Sequence, residues 1–279
     1  MTRFADLHLH TYHSDGTRSP REVIDLARER GLDIVAISDH DNIAGYFEVK
    51  HYADEQDVTL IPAAELSCGY DGADIHILAY AFNTFDERID ERLRTFREVR
   101  QRRGQQIVEK LRSLGYDISF DRVEQLAAGG AIGRPHVARA LVERGYVSSI
   151  GDAFDKFLGS GKPAYVEKAR FSIEEAVALI HDAGGVLSVA HPTLYPGHER
   201  IVPALLDAGI DAIEIFHPDV DEENRERYRN LARFRGKFVT GGSDDHGTAK
   251  EVETIGTIRV PETLIGPILE RVEGGIEHD

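Results

Sequence analysis

The 279-residue chain is 41% hydrophobic, holds one cysteine and carries a formal net charge of −16. That balance supplies a real core. It excludes a disordered chain, an intrachain disulfide framework and a general duplex-DNA surface, which would need a basic stripe. No apolar run approaches the ~18–20 residues that cross a bilayer, and the start "MTRFADLHLH" lacks the pattern of a signal peptide, so a cytoplasmic location with no membrane partner is expected.

In chain order, a strand is predicted over 3–10 and a helix over 20–30, opened by Pro20 and stopped by Gly31. The strand "DIVAIS" (33–38) follows, then a helix over 43–55 and the strand "VTLIPAAEL" (58–66). After the turn "GYDGAD" comes "DIHILAY" (74–80). The chain then loses its strands. From 86 to 165 it reads as charged helices, an insertion between barrel segments 1–85 and 166–279. The alternation resumes with helices over 173–183, 199–208 and 222–235, preceding strands at 185–191, 211–217 and 237–246, and a last strand "TIGTIRV" over 254–260. Unbroken apolar strands alternating with helices imply an α/β barrel.

Residues i and i+2 of a strand share a face, so His8 and His10 in "DLHLHTYHSDG" project together. Such a pair alone carries little weight, but its recurrence does. His40, Glu65, His191, Asp244 and His246 all fall at or just past strand ends, where barrel active sites lie. His76 lies near the start of its segment instead, which fits an antiparallel strand or a hairpin with the strand before it.

"DLHLHTYHSDG", "SDHDNIAG", "AAEL…HILAY", "AHP" and "GSDDH", in this order, resemble the PHP (polymerase and histidinol phosphatase) family of metal-dependent phosphoesterases. "GRPHVARAL" (133–141) and "KPAYV" (162–166) resemble its subgroup acting on 3′,5′-bisphosphate nucleotides and the 5′ ends of short RNA. The resemblance implies a distorted (β/α)7 barrel with a small helical insertion. It implies two or three divalent metal ions: a first on His8, His10, Glu65 and Asp244, a second bridged by Glu65 to His76 and His191, and a third on Asp15, His40 and His246. Nitrogen and oxygen donors without thiolate favour Mn, Fe or Zn. Paired metals would present hydroxide to phosphorus. Glu65, His191 and Arg134 are then the expected catalytic residues, and the substrate is a small phosphorylated nucleotide or short single-stranded RNA.

For phosphate binding, Arg134 and His136 of "GRPH" are the first candidates, with Lys162 and His217 beside them. Lys162 lies in "GSGKP", whose spacing is not that of a P-loop. His217 reads equally as a phosphate contact, a general acid or a strand-end cap. Asp6, Asp39 and Asp41 read as partners of the ligand imidazoles or as turn residues. His13 is a loop residue, Cys68 a small buried side chain, and "REVRQRRGQQ" (97–106) a solvated helix face or a lure for an RNA backbone. His51, His181, His198 and His278 receive no role. Two other classes share parts of the pattern. A histidinol-phosphate phosphatase would use the same metals, and an amidohydrolase also opens on HxH but bridges its metals with a lysine, which ends no strand here.

Overall fold

The computed structural model describes residues 2–127, 130, 132–249 and 253–274; His278 lies outside them. β1 (Phe4–Leu9), β2 (Ile34–Ile37) and β3 (Thr59–Tyr70) run parallel. β4 (Ala73–Tyr80) returns antiparallel along β3, with His76 opposite Ser67. Helix α1 (Pro20–Glu29) follows β1, and its Ser19 and Glu22 close a capping box around Pro20. Helix α2 (Ala44–Glu55) follows β2.

After β4 come α3 (Glu87–Ser113), α4 (Phe120–Leu126), α5 (Arg134–Glu143) and α6 (Ile150–Ala153), the last continued by a π-helical turn over Phe154–Leu158. The two-residue β5 (Phe171–Ser172) pairs with the far end of β3. Then α7 (Ile173–Asp182), β6 (Val186–Val189), α8 (His198–Asp207), β7 (Ala212–Phe216), α9 (Glu222–Phe234) and β8 (Phe238–Gly241) restore the alternation. β9 (Val260–Pro261) and α10 (Gly266–Glu273) end the described chain.

The sheet order is β8-β7-β6-β4-β3-β2-β1-β9. β1 meets the end of β8 through a bridge between Leu9 and Asp245, and the His10 N–H donates to the Asp245 carbonyl at 2.9 Å. Seven strands therefore nearly close into a (β/α)7 barrel, distorted by antiparallel β4. Gly242 is required at this seam, because a Cβ there would sit 2.3 Å from that of His8.

The helices cover the barrel with apolar stripes. Val23, Ile24 and Ala27 of α1 and Val49 and Ala53 of α2 pack on Leu9, Val35 and Ile37. Ile173 and Ile180 of α7, Leu205 of α8 and Tyr228 of α9 pack on Ile77, Val189 and Ile213. A separate core forms among Val123, Val137, Leu141, Phe157 and Leu158 of the middle segment. The 27-residue α3 feeds both cores: Ile89, Leu93 and Phe96 join the barrel, and Ile107, Val108 and Leu111 join the second core. The expected boundary at 86 thus falls at the head of a helix whose first half packs on the barrel.

Three expectations need correction. The strand expected over 237–246 ends as β8 at Gly241, ahead of Asp244 with its left-handed φ of 49°. β3 runs on to Tyr70, because β4 and β5 continue its ladder after β2 has ended at Ile37. The last strand shrinks to Val260–Pro261. Asp245 captures the Thr254 N–H at 2.9 Å, and Gly256 takes a left-handed φ of 77°, so 254–257 close a turn.

Candidate active site

The barrel brings all nine expected ligand residues to one rim. The long β3 explains Glu65: it sits mid-strand there, yet level with the end of β2, where it bridges His40. Antiparallel β4 delivers His76 to the same rim from its first half. His191 and Asp244 turn inward from the ends of β6 and β8 with φ of 27° and 49°, conformations costly for non-glycine residues.

Glu65 is the hub. Its Oε2 lies 3.3 Å from His8 Nε2, 3.2 Å from His10 Nε2 and 3.0 Å from His40 Nδ1. Its Oε1 lies 2.8 Å from His76 Nδ1 and 3.1 Å from His191 Nε2. Asp244 Oδ1 faces His8 and His10 Nε2 at 3.3 and 3.2 Å. On the far side, Asp15 stands 3.2 Å from His246 Nε2 and 3.7 Å from His40 Nε2. The His40 ring therefore spans two carboxylates and suits the second centre as well as the third.

The donor set fits divalent cations. His8 Nε2, His10 Nε2, His40 Nδ1, Asp15 Oδ1 and Glu65 Oε2 are buried without a hydrogen-bond partner. The reason is visible at His8. Its Nδ1 meets the buried Glu214 carboxylate at 2.9 Å and must carry the proton. Its Nε2 faces two more carboxylates, an arrangement that a metal cation or a second ring proton reconciles. Proton affinities express the same demand. Burial would lower the His8 and His10 imidazoles, yet the surrounding carboxylates push His8 well above its ordinary value and His10 to about 10. Burial likewise opposes ionisation of Glu65, but His40, His76 and His8 hold it well below the usual range.

Glu214 is the imidazole partner that sequence reasoning missed. Its Oε2 also accepts the His191 N–H at 2.6 Å. The one available signal was a lone carboxylate in the apolar run "AIEIF". None of the three expected aspartates does this work. Asp6 accepts the Ser243 N–H, Asp39 holds Thr11 and Ser14, and Asp41 pairs with Arg100. Burial raises Asp6 to about 6.

A cavity of about 190 Å³ opens beside the cluster. Its lining joins Asp15, His40 and His76 of the cluster to Arg100, Arg103, Arg134 and Lys168, and Lys168 Nζ lies 3.2 Å from His76 Nε2. Arg134 begins α5, so that helix N-terminus also faces the cavity, a favourable place for an anion. Burial, then the neighbouring arginines, lowers Arg103 to about 10, and burial and Arg100 lower Lys168 to about 8. Such crowding of cations awaits an anion.

Other expectations shift. The "REVRQRRGQQ" run is not a fully solvated face, since Arg100 and Arg103 are buried against the cavity. Lys162 is exposed and lines no part of it; Lys168 stands there instead. His136 is buried behind the wall, its Nδ1 accepting the Gly133 N–H at 3.0 Å, and burial lowers it to about 4, so it holds α5 in place as a neutral ring. His217 lies behind Asp244: its Nδ1 accepts the Asp219 N–H at 3.0 Å and its Nε2 is 3.6 Å from Asp244 Oδ2. His13 pairs with Glu48 in its loop, and Cys68 is buried.

The PHP domain profile matches residues 6–187, well over half of the chain. The chain belongs to the PHP domain family. This PHP protein is 37% identical over 247 residues to the 5′-3′ exoribonuclease of Haemophilus influenzae, covering 87% of this chain and 89% of that one. It is 30% identical over 276 residues to the 3′,5′-nucleoside bisphosphate phosphatase of Chromobacterium violaceum, covering 97% of each. Among solved structures, a metal-dependent phosphoesterase from Bifidobacterium adolescentis superposes with a TM-score of 0.87 at 32% identity over 96% of each chain. The PHP protein is a metal-dependent phosphoric ester hydrolase, and the amidohydrolase reading is not favoured, with glutamate and not lysine at the hub.

Proposed function

We propose that this PHP protein removes the 3′-phosphate of nucleoside 3′,5′-bisphosphates and acts on the 5′ ends of short single-stranded RNA. The supporting observation is the mixed lining of the cavity: the carboxylate–imidazole cluster and the cations Arg103, Arg134 and Lys168 border one small space. A substrate with two phosphates meets both demands at once, one phosphate at the cluster and one at the cations. The cavity volume of about 190 Å³ is below the roughly 300–1,000 Å³ that encloses a drug-sized ligand, so phosphate and ribose enter while the base stays outside. Base tolerance follows, as removing nucleotides from RNA requires. The names of the two relatives agree with this reading.

His8, His10, Glu65 and Asp244 would hold one metal, and Glu65, His76 and His191 a second. Asp15 and His246 would hold a third, with His40 shared between the last two; Mn, Fe and Zn all suit the donors. Bound there, divalent ions polarise a phosphoryl oxygen and lower the pKa of a coordinated water. The chain's own residues do the rest. Arg134 and Lys168 hold the second phosphate and aim the scissile one at the cluster. Glu214 keeps the His8 proton on Nδ1. Segment 86–165 acts as the specificity element, since it contributes Arg100, Arg103 and Arg134.

The test compares phosphate release, with Mn²⁺, from adenosine 3′,5′-bisphosphate, a short 5′-phosphorylated RNA and histidinol phosphate. Faster release from the bisphosphate than from histidinol phosphate is expected. The reverse order would overturn the nucleotide reading.

A further inference from the structure

One carboxylate stands among the cations of the cavity wall, and phosphate binding does not explain it. Asp74, on β4, lines the cavity with Arg103, Arg134 and Lys168. A fixed negative charge there repels the phosphate that the cations attract, so it should answer to another part of the substrate. Its Oδ1 is engaged, by Lys168 Nζ at 3.4 Å and Arg170 Nε at 3.2 Å. Its Oδ2 has only Arg134 Nη2 nearby, at 4.0 Å, beyond hydrogen-bond reach. The carboxylate is about one-third exposed, with side-chain exposure of 31%. An ionised carboxylate only accepts hydrogen bonds, so the open Oδ2 is free to exchange water for a donor on the substrate.

The donor is neutral, because Arg100, Arg103, Arg134 and Lys168 make the cavity hostile to a substrate ammonium. On the proposed substrate class the choice then narrows by chemistry. A ribose esterified at both 3′ and 5′ retains one hydroxyl, the 2′-OH. An internal RNA nucleotide does too, and that hydroxyl distinguishes RNA from DNA. We propose that Asp74 is the specificity-determining residue that reads the ribose 2′-hydroxyl, through Oδ2. This rests on the nucleotide reading above.

The test uses the full-length, metal-loaded protein with adenosine 3′,5′-bisphosphate and its 2′-deoxy-2′-fluoro analogue, which keeps an electronegative atom but cannot donate. A uridine pair runs alongside. The readout is the ratio of kcat/KM within each pair, which cancels any general loss in a variant. The wild type should favour the ribo substrate by about 10-fold or more, as expected for a hydrogen bond to a charged group. In Asp74→Asn the ratio should fall several-fold, and in Asp74→Ala it should approach unity, equally for both bases. A wild-type ratio near unity with brisk phosphate release would overturn the role of Asp74 and leave the nucleotide reading standing. An unchanged ratio in both variants, or a change that follows the base and not the hydroxyl, would also overturn it. No release from any of the four compounds would overturn the nucleotide reading itself, and this role with it.

Discussion

Arg100 of α3 reaches across to Asp41, just past β2, and the two form a buried ion pair with Nη2 and Oδ2 2.6 Å apart. The guanidinium also donates to Ser67 Oγ at 2.7 Å, and the Ser67 N–H donates to Asp41 Oδ1 at 2.8 Å. The pair pins the helix to the barrel one residue from the ligand His40. Removing one partner leaves a buried charge alone, which costs about 3–5 kcal/mol. Arg100→Met should therefore lower unfolding stability by that amount in urea titrations. Adding Asp41→Asn should recover much of it, since asparagine tolerates the left-handed backbone at that position. A loss below about 1 kcal/mol in the single variant would show the pair to be uncoupled.

Arg103 is the contrasting case. It is buried, donates from Nε to the Val166 carbonyl and leaves Nη2 without a partner. Arg103→Met should change stability little. It should lower kcat/KM for the bisphosphate by about 10- to 100-fold, the worth of one charge-assisted hydrogen bond. The two variants together separate cohesion from substrate binding.

Glu65 and Glu214 should differ in metal binding. Glu65→Gln weakens a hub shared by two centres, so metal content should drop by more than one ion per chain. Glu214→Gln leaves the ligands in place but frees the His8 ring, so affinity should fall about 10- to 100-fold against a competing chelator. Wild-type affinity in Glu214→Gln would show that His8 needs no such support.

His136 predicts an acid limb. Its ring is held neutral with a folded-state pKa of about 4, below the ordinary 6.5 of an unfolded chain. Its contribution is complete above about pH 6.5, declines as the unfolded state takes up protons on acidification, and levels off below pH 4. The two and a half units correspond to about 3 kcal/mol at most. His136→Gln keeps an acceptor for the Gly133 N–H and does not titrate. Wild-type stability minus variant stability should shrink by about that amount between pH 7 and pH 4. A constant difference would show that folding leaves the proton affinity of His136 unchanged.

Most of the candidate ligands stood out because His40, Glu65, His191, Asp244 and His246 fall near the ends of short apolar runs, where a polar residue has few other uses; Asp15 entered only through the family resemblance. The antiparallel course of β4 was legible from His76 alone, a ligand type at the wrong end of its segment. The cation wall was not. Arg100 and Arg103 continue the buried stripe Ile89, Leu93, Phe96 towards Ile107 and Leu111, at helical spacing. The surrounding charges of "REVRQRRGQQ" hide that phase, and nothing local marks an arginine that faces a cavity. Lys168 sits in the irregular "VEKAR", where position depends wholly on what packs around it. Glu214 is invisible until the barrel closes and sets β7 behind β1.

The helix that feeds both cores has a mechanical consequence. At 27 residues α3 spans about 40 Å, clamped at one end by Ile89 and Leu93 and at the other by Ile107 and Leu111. Arg100 and Arg103 ride on the girder between the two anchorages. A helix mounted this way ties the cavity's arginines to the barrel as firmly as to the helical segment, so a change at either anchorage would be felt at the cavity.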